Sequence, residues 1–162
     1  MSGYDSRPDT WRHIHRVQTL IAEAINDLQK RALEHDQSKL VSPEVEVFDK
    51  FTPKLKDSTY GSDEYKSFLE GMGVGLRHHY AYNSHHPEHY GDDGIHGMDL
   101  LDLVEMLADW KAATERHADG DLDRSITHNA ERFGYGPEIK GLLRKTALRF
   151  GWLSVEGSGG TR

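Results

Sequence analysis

Between Asp9 and Glu34 the apolar side chains fall at Trp11, Ile14, Val17, Ile21, Ile25, Leu28 and Ala32, in steps of three and four. Such steps gather one face only in an α-helix, so the chain opens with a single long amphipathic helix. From about Met98 to Arg116, Leu100, Leu101, Leu103, Val104, Met106, Leu107, Ala108 and Trp110 build a second helix, apolar enough to be central. Two further helices are predicted over about Leu122–Arg132 and Pro137–Arg149. Strand-like alternation, internal repeats and a dinucleotide-binding glycine fingerprint are all missing, so the expected fold class is all-α. A chain of 162 residues supports one core, which predicts a single-domain bundle of five to six helices over residues 1–153. The Gly157-Ser158-Gly159-Gly160 stretch predicts a disordered tail over 154–162.

The middle of the chain is punctuated more heavily. Gln37, Ser38 and Ser42-Pro43 signal a break, after which Ser42 can cap a short helix through about Asp49, with Pro43 at its first position and Glu44 near its positive end. Phe51 to Gly61, with Pro53, Ser58 and Thr59, reads as a loop. Ser62 can then cap a helix running to about Ser84. Glycines 71, 73 and 75 weaken that helix by roughly 1 kcal/mol each relative to alanine, which points to close packing against a neighbour. His86-Pro87 and Gly91-Asp92-Asp93-Gly94 end it in a histidine-rich loop.

Composition removes several chemistries. With no cysteine there are no disulfides, thiolate zinc sites, iron–sulfur clusters or cysteine nucleophiles, so any metal must sit on nitrogen and oxygen. A formal charge of −7 argues against general nucleic-acid binding, while leaving room for one anionic ligand in a small basic pocket. No apolar run is long enough to span a membrane and the N-terminus does not resemble a secretory signal, so a cytoplasmic protein is expected.

Histidine carries the functional signal. Eleven are present, and six of them lie between His78 and His96. His35 and Asp36 are adjacent at the end of the first helix and are compatible metal ligands. His13 lies one long helix earlier, and the pairs His78-His79 and His85-His86 lie downstream, with spacing alone leaving open which member of each pair points inward. In the apolar helix Asp102, Glu105 and Asp109 share one stripe, and an inward line of carboxylates needs cations. Lys39, Arg77 and Arg16 are the nearby cations that could grip phosphate, a set suited to one or two phosphate groups.

The order His13, His35-Asp36 with Lys39 three residues on, paired histidines, then Asp109 resembles the HD-domain metal-dependent phosphohydrolase superfamily. His13-x-x-Arg16-Val17 is similar to that superfamily's opening histidine helix, and His85-His86-Pro87-Glu88 with Asp93-Gly94 to the second histidine cluster of its cyclic-dinucleotide branch. A closer resemblance is to small, functionally uncharacterised proteins of bacteriophages and bacteria. It rests on His35-Asp36-Gln37-Ser38-Lys39, Ser42-Pro43-Glu44, Tyr60 to Tyr65, Asn83-Ser84-His85-His86-Pro87-Glu88 and Glu105-Met106-x-x-Asp109-Trp110. A phage origin would place the protein in the host cytoplasm.

The superfamily resemblance implies one or two divalent ions among Mn, Fe, Co, Mg and Zn. His13, His35, Asp36 and Asp109 would hold the first, and one of His78/His79 with one of His85/His86 would help hold the second, Asp36 bridging them. It further implies hydrolysis of a small phosphate ester, such as a nucleotide, with Asp36 and Lys39 as the catalytic pair. Two rival readings accompany it: a di-iron, oxygen-activating enzyme on the same scaffold, and a non-catalytic metal- or nucleotide-binding module. A homo-oligomer is compatible with all three.

Overall fold

Seven α-helices account for most of the described residues: α1 (Arg7–Glu34), α2 (Glu44–Asp57), α3 (Asp63–Gly71), α4 (Gly73–Tyr82), α5 (Leu100–Thr114), α6 (Leu122–Phe133) and α7 (Pro137–Arg149). The structure is a computed structural model describing residues 3–58, 62–116 and 120–154. Two 3-10 segments, Gln37–Leu40 and Pro87–Gly97, complete the elements, and no strand occurs among the described residues. The all-α expectation is met, with seven α-helices among the described residues where five to six helices were expected. No described helix is long and apolar enough to cross a membrane.

The chain divides into two compact units, Met1–His35 and Asp36–Arg162. The first is α1, one helix of 28 residues with Pro8 in its first turn and no buried residue. Proline fits there because the early helical N–H groups have no intrahelical acceptor to lose.

In the second unit, α5, α6 and α7 pack around Ile95, Met106, Leu107, Leu122, Ile126, Tyr135, Leu143 and Ala147. Asp99 starts α5 with a reciprocal cap, accepting from the Leu101 and Asp102 N–H groups while Asp102 accepts from the Asp99 N–H. Asp121 caps α6 by accepting from the Asp123 and Arg124 N–H groups, and Gly134, at φ 67°, ends it in the left-handed conformation that a residue with a Cβ avoids. The hydroxyl of buried Tyr135 donates to the Ile126 carbonyl at 2.7 Å, so burying its ring leaves no polar atom unsatisfied.

The region between Gln37 and Gly97 departs from expectation in several places. Residues 51–57, expected as loop, belong to α2, which contains Pro53. Phe51 is buried against Gly71, where an added Cβ would stand 2.7 Å from the ring tip, and this tertiary anchor outweighs a proline that lacks one helical N–H. Pro43, rather than Ser42, holds the cap position of α2. The single helix expected over 62–84 is two, divided at Met72, whose side chain is 1% exposed. The division falls between Gly71 and Gly73. Gly75 would place a Cβ 2.8 Å from Val47 Cγ1, so only a residue without one lets α4 approach α2 this closely. The histidine-rich loop is itself a 3-10 segment, interrupted at Gly91 and Gly94, whose φ angles are 57° and 49°. Of the tail, only Ser154 lies within the described residues.

Candidate functional site

Asp36 is the single described non-glycine residue with a positive φ, 57°. Aspartate tolerates this left-handed conformation better than most residues, and here it turns the chain into the 3-10 segment, closed by the Lys39 N–H donating to the Asp36 carbonyl at 2.9 Å. The same turn sets Lys39 Nζ 2.6 Å from Asp36 Oδ2 and 5.1 Å from the Phe48 ring centroid. A cation therefore stands beside the carboxylate, held by charge on one side and by an aromatic face on the other.

Two imidazoles approach the other oxygen of Asp36, and a third stands beside them. His79 comes from the last turns of α4 and is 1% exposed; His85, in the turn that follows, is 2% exposed. His86 precedes Pro87, is therefore extended at φ −101° and ψ 128°, and brings its ring back toward α4. His79 Nε2 lies 2.9 Å from His86 Nε2 and 3.3 Å from Asp36 Oδ1, and His85 Nε2 lies 3.6 Å from that same oxygen. Asp36, His79, His85 and His86 each offer one ligand atom, all within 4.8 Å of one another, a set that could hold a metal ion. An oxygen of Asp109, on α5, also lies within 4.8 Å of one from Asp36.

The far nitrogens of these rings fit that role. His79 Nδ1 is 2.9 Å from Glu44 Oε2, and His85 Nδ1 is 3.1 Å from Glu105 Oε1. A carboxylate accepts, so each Nδ1–H donates to the carboxylate behind it, and a neutral ring then presents its Nε2 lone pair toward Asp36. Lone pairs converging on a carboxylate oxygen repel unless positive charge lies among them. Carboxylates behind ligand imidazoles are the usual means of fixing tautomer and ring orientation at a metal centre. Burial pushes His79 below its ordinary value, assisted by the Lys39 charge and opposed by Asp36 and Glu44. His86 is pushed down further, by burial first and then by the neighbouring His85 and His79. Both rings are thereby kept neutral near pH 7, the form able to ligate a metal.

Glu44 organises the site from behind. It is 0% exposed and accepts from His78 Nδ1 at 2.7 Å and Ser38 Oγ at 3.0 Å, as well as from His79. Asn83 donates to Ser38 Oγ at 2.9 Å and to the His79 carbonyl at 2.7 Å, tying the end of α4 to the Gln37–Leu40 turn. Sequence reasoning placed Glu44 only at a helix start and assigned no role to Ser38 or Asn83. Their presence in the His35-Asp36-Gln37-Ser38-Lys39, Ser42-Pro43-Glu44 and Asn83-Ser84-His85-His86 motifs was the available signal. The carboxylate stripe on α5 also resolves differently for each member. Asp102 is buried but needs no cation, since Ser84 Oγ and Tyr90 OH each donate to it at 2.6 Å and the Asp99 N–H at 3.0 Å. Glu105 supports His85, and Asp109 lies near Asp36.

Of the residues singled out from sequence, Asp36, Lys39, His79, His85, His86 and Asp109 come together. Within the pair His78-His79, the second member faces Asp36. Arg77 does not join them: two positions from His79 it lies about 200° around α4, and it is exposed. His13, Arg16 and His35 belong to the N-terminal unit, where His13 and Arg16 are exposed and Arg16 Nη1 lies 3.9 Å from Glu23.

Residues 3–149 match a family of unknown function, DUF5662, and the chain belongs to it. No curated protein and no solved structure matches the chain.

Proposed function

We propose that the protein is a metal-dependent phosphohydrolase, with Asp36, His79, His85 and His86 holding a divalent transition ion and Lys39 binding a phosphate oxygen of a small ester. The observation that carries this reading is the convergence of one carboxylate and three imidazole atoms within 4.8 Å, with Glu44 and Glu105 behind two of the rings. Imidazole-rich sites prefer Mn, Fe, Co or Zn over the harder Mg, which takes mostly oxygen. When bound, a divalent ion supplies Lewis acidity, polarising a phosphoryl oxygen and lowering the pKa of water enough for attack near neutral pH.

The chain's own residues do the rest. Asp36 adds negative charge that offsets the ion, and Asp109 offers a second carboxylate beside it. Lys39 releases part of its pairing with Asp36 to a phosphate oxygen, stabilising the charge that builds there during transfer. Glu44 and Glu105 hold His79 and His85 in the tautomer that keeps Nε2 available. The resemblance of His35-Asp36 and Lys39 to the HD-domain pattern supports phosphoester chemistry over other uses of such a centre.

The test is elemental analysis of protein purified without chelator. It is followed by incubation of the Mn-loaded protein with nucleoside mono-, di- and triphosphates, cyclic nucleotides and an aryl phosphate. We expect at least one transition ion per chain and phosphate or phosphoester product from at least one substrate. Absence of metal would refute the centre. A fully loaded protein that turns over none of these would refute hydrolysis, and oxygen uptake with Fe(II) would then identify the oxygen-activating alternative.

A further inference from the structure

α2 places Glu44, Val47, Phe48 and Phe51 on one stripe, at the three- and four-residue steps of a helix face. Three of them have a plain structural task. Glu44 accepts from His79 Nδ1, Val47 lies against Gly75 of α4, and Phe51 packs at Gly71. Phe48 is different. It is only half-buried, and two side chains of the candidate site meet its ring. Lys39 Nζ stands 5.1 Å from the ring centroid, and the His79 ring meets it edge to face at 5.9 Å and 74°.

We propose that Phe48 is a positioning residue for anion binding, its ring face holding the Lys39 ammonium beside the metal-ligating cluster where a phosphate oxygen can take it. The proposal rests on the reading of Lys39 as the phosphate-binding group. A lysine has a flexible four-carbon stem and a strongly hydrated charge, so an unrestrained Lys39 would have to be ordered each time an anion bound. Two restraints order it beforehand: Asp36 Oδ2 at 2.6 Å and the Phe48 face. They act differently. The carboxylate takes a proton from the ammonium and so competes with phosphate for it. A ring face attracts the charge without fixing a proton on one acceptor, so it holds the lysine and leaves its donors to the anion.

The contact with His79 gives the arrangement its geometry. Glu44 and Phe48 are one turn apart on α2, so the helix face that fixes the His79 tautomer also sets a rigid ring between that imidazole and the lysine. The spacing between the phosphate-binding cation and the metal ligand then follows from an aromatic side chain with two rotatable bonds. A leucine at position 48 would remain apolar but would lack the negative ring face that draws the ammonium.

The test uses zinc-loaded full-length protein with inorganic phosphate as the probe, and replaces Phe48 by leucine or by progressively fluorinated phenylalanines. Fluorine drains the ring face of negative charge with little change of shape, so the series separates attraction for a cation from packing. Phe48→Leu should weaken phosphate binding about 3–10-fold, the effect of having to order one long side chain. Binding measured by calorimetry should fall stepwise along the fluorinated series, while zinc affinity against a competing chelator stays constant. The same series at Phe51, whose ring meets Lys50 and Lys54 at 5.0 and 5.3 Å, should leave phosphate binding unchanged. In NMR spectra the Lys39 Hε protons, assigned by their loss in Lys39→Arg, should lie upfield of the position they take in Phe48→Leu. Phosphate binding indifferent to fluorination at Phe48, an equal response at Phe51, or Lys39 protons unmoved by Phe48→Leu would overturn the positioning role alone. Wild-type protein that binds zinc but no phosphate would overturn the reading of Lys39 and this proposal with it.

Discussion

Replacing Glu44 by glutamine separates a structural from a functional role for the buried carboxylate. The side chain keeps its volume, so no cavity opens, but one carboxylate that accepts from His78, His79 and Ser38 becomes an amide with a single accepting oxygen. At least one of the three donors then faces an NH₂ group. Hydrogen bonds to charged groups contribute about 1.5–3 kcal/mol each, so a loss of about 2–3 kcal/mol is expected. For a chain of this length that lowers the melting temperature by roughly 4–12 °C. The functional effect is distinct. An amide N–H pointing at His79 Nδ1 favours the tautomer with the proton on Nε2, the atom that would ligate metal. Loss of such supporting carboxylates typically lowers metal affinity about 10–100-fold. Titration of the folded Glu44→Gln variant against a competing chelator, with Glu46→Gln on the exposed face of α2 as control, measures this directly. Unchanged metal affinity in a variant that has lost the expected stability would refute the claim that Glu44 orients His79.

Other perturbations probe neighbouring links. Asp36→Ala should abolish metal retention and turnover together, whereas Lys39→Ala should retain metal and weaken substrate binding or catalysis; metal analysis beside steady-state kinetics tells them apart. The folded protein holds His79 and His86 below the 6.5 of an ordinary histidine, so the unfolded chain binds more protons below about that pH. Metal-free protein should therefore lose stability as pH falls below 6.5, by up to about 1.4 kcal/mol per pH unit for each such ring, and urea midpoints between pH 7 and 5 that do not fall would contradict this. Gly75→Ala gains about 1 kcal/mol of helix propensity but drives a Cβ to 2.8 Å from Val47. Overpacking costs about 1–3 kcal/mol, so net destabilisation of about 1 kcal/mol is expected in denaturant unfolding, and a stabilised variant would show that α2 can move aside.

The parts of the fold legible in the sequence are those where local signals agree. The three- and four-step stripe of α1, the dense apolar run of α5, and the Pro137 start of α7 each specify an element without reference to the rest of the chain. Failures concentrated where a distant contact decides the outcome. Pro53 argues locally against helix, yet Phe51 wedged at Gly71 holds α2 through it. Three glycines argue for a weakened but continuous helix, yet two helices form, divided at buried Met72.

The site divides along the same line. Residue type and order by themselves determined that any metal would sit on nitrogen and oxygen, since no cysteine is present, and that His35-Asp36, Lys39, the paired histidines and Asp109 were the residues to watch. Spacing could not choose between His78 and His79, because neighbours on a helix differ by about 100° and either can face inward. The packing of α4 on α2 made that choice, burying His79 against Glu44 and leaving Arg77 in solvent. Glu44 shows the limit most clearly. Thirty-five positions separate it from His79, and no periodicity links residues so far apart. Only the tertiary structure, by closing the distance, gives that carboxylate a partner.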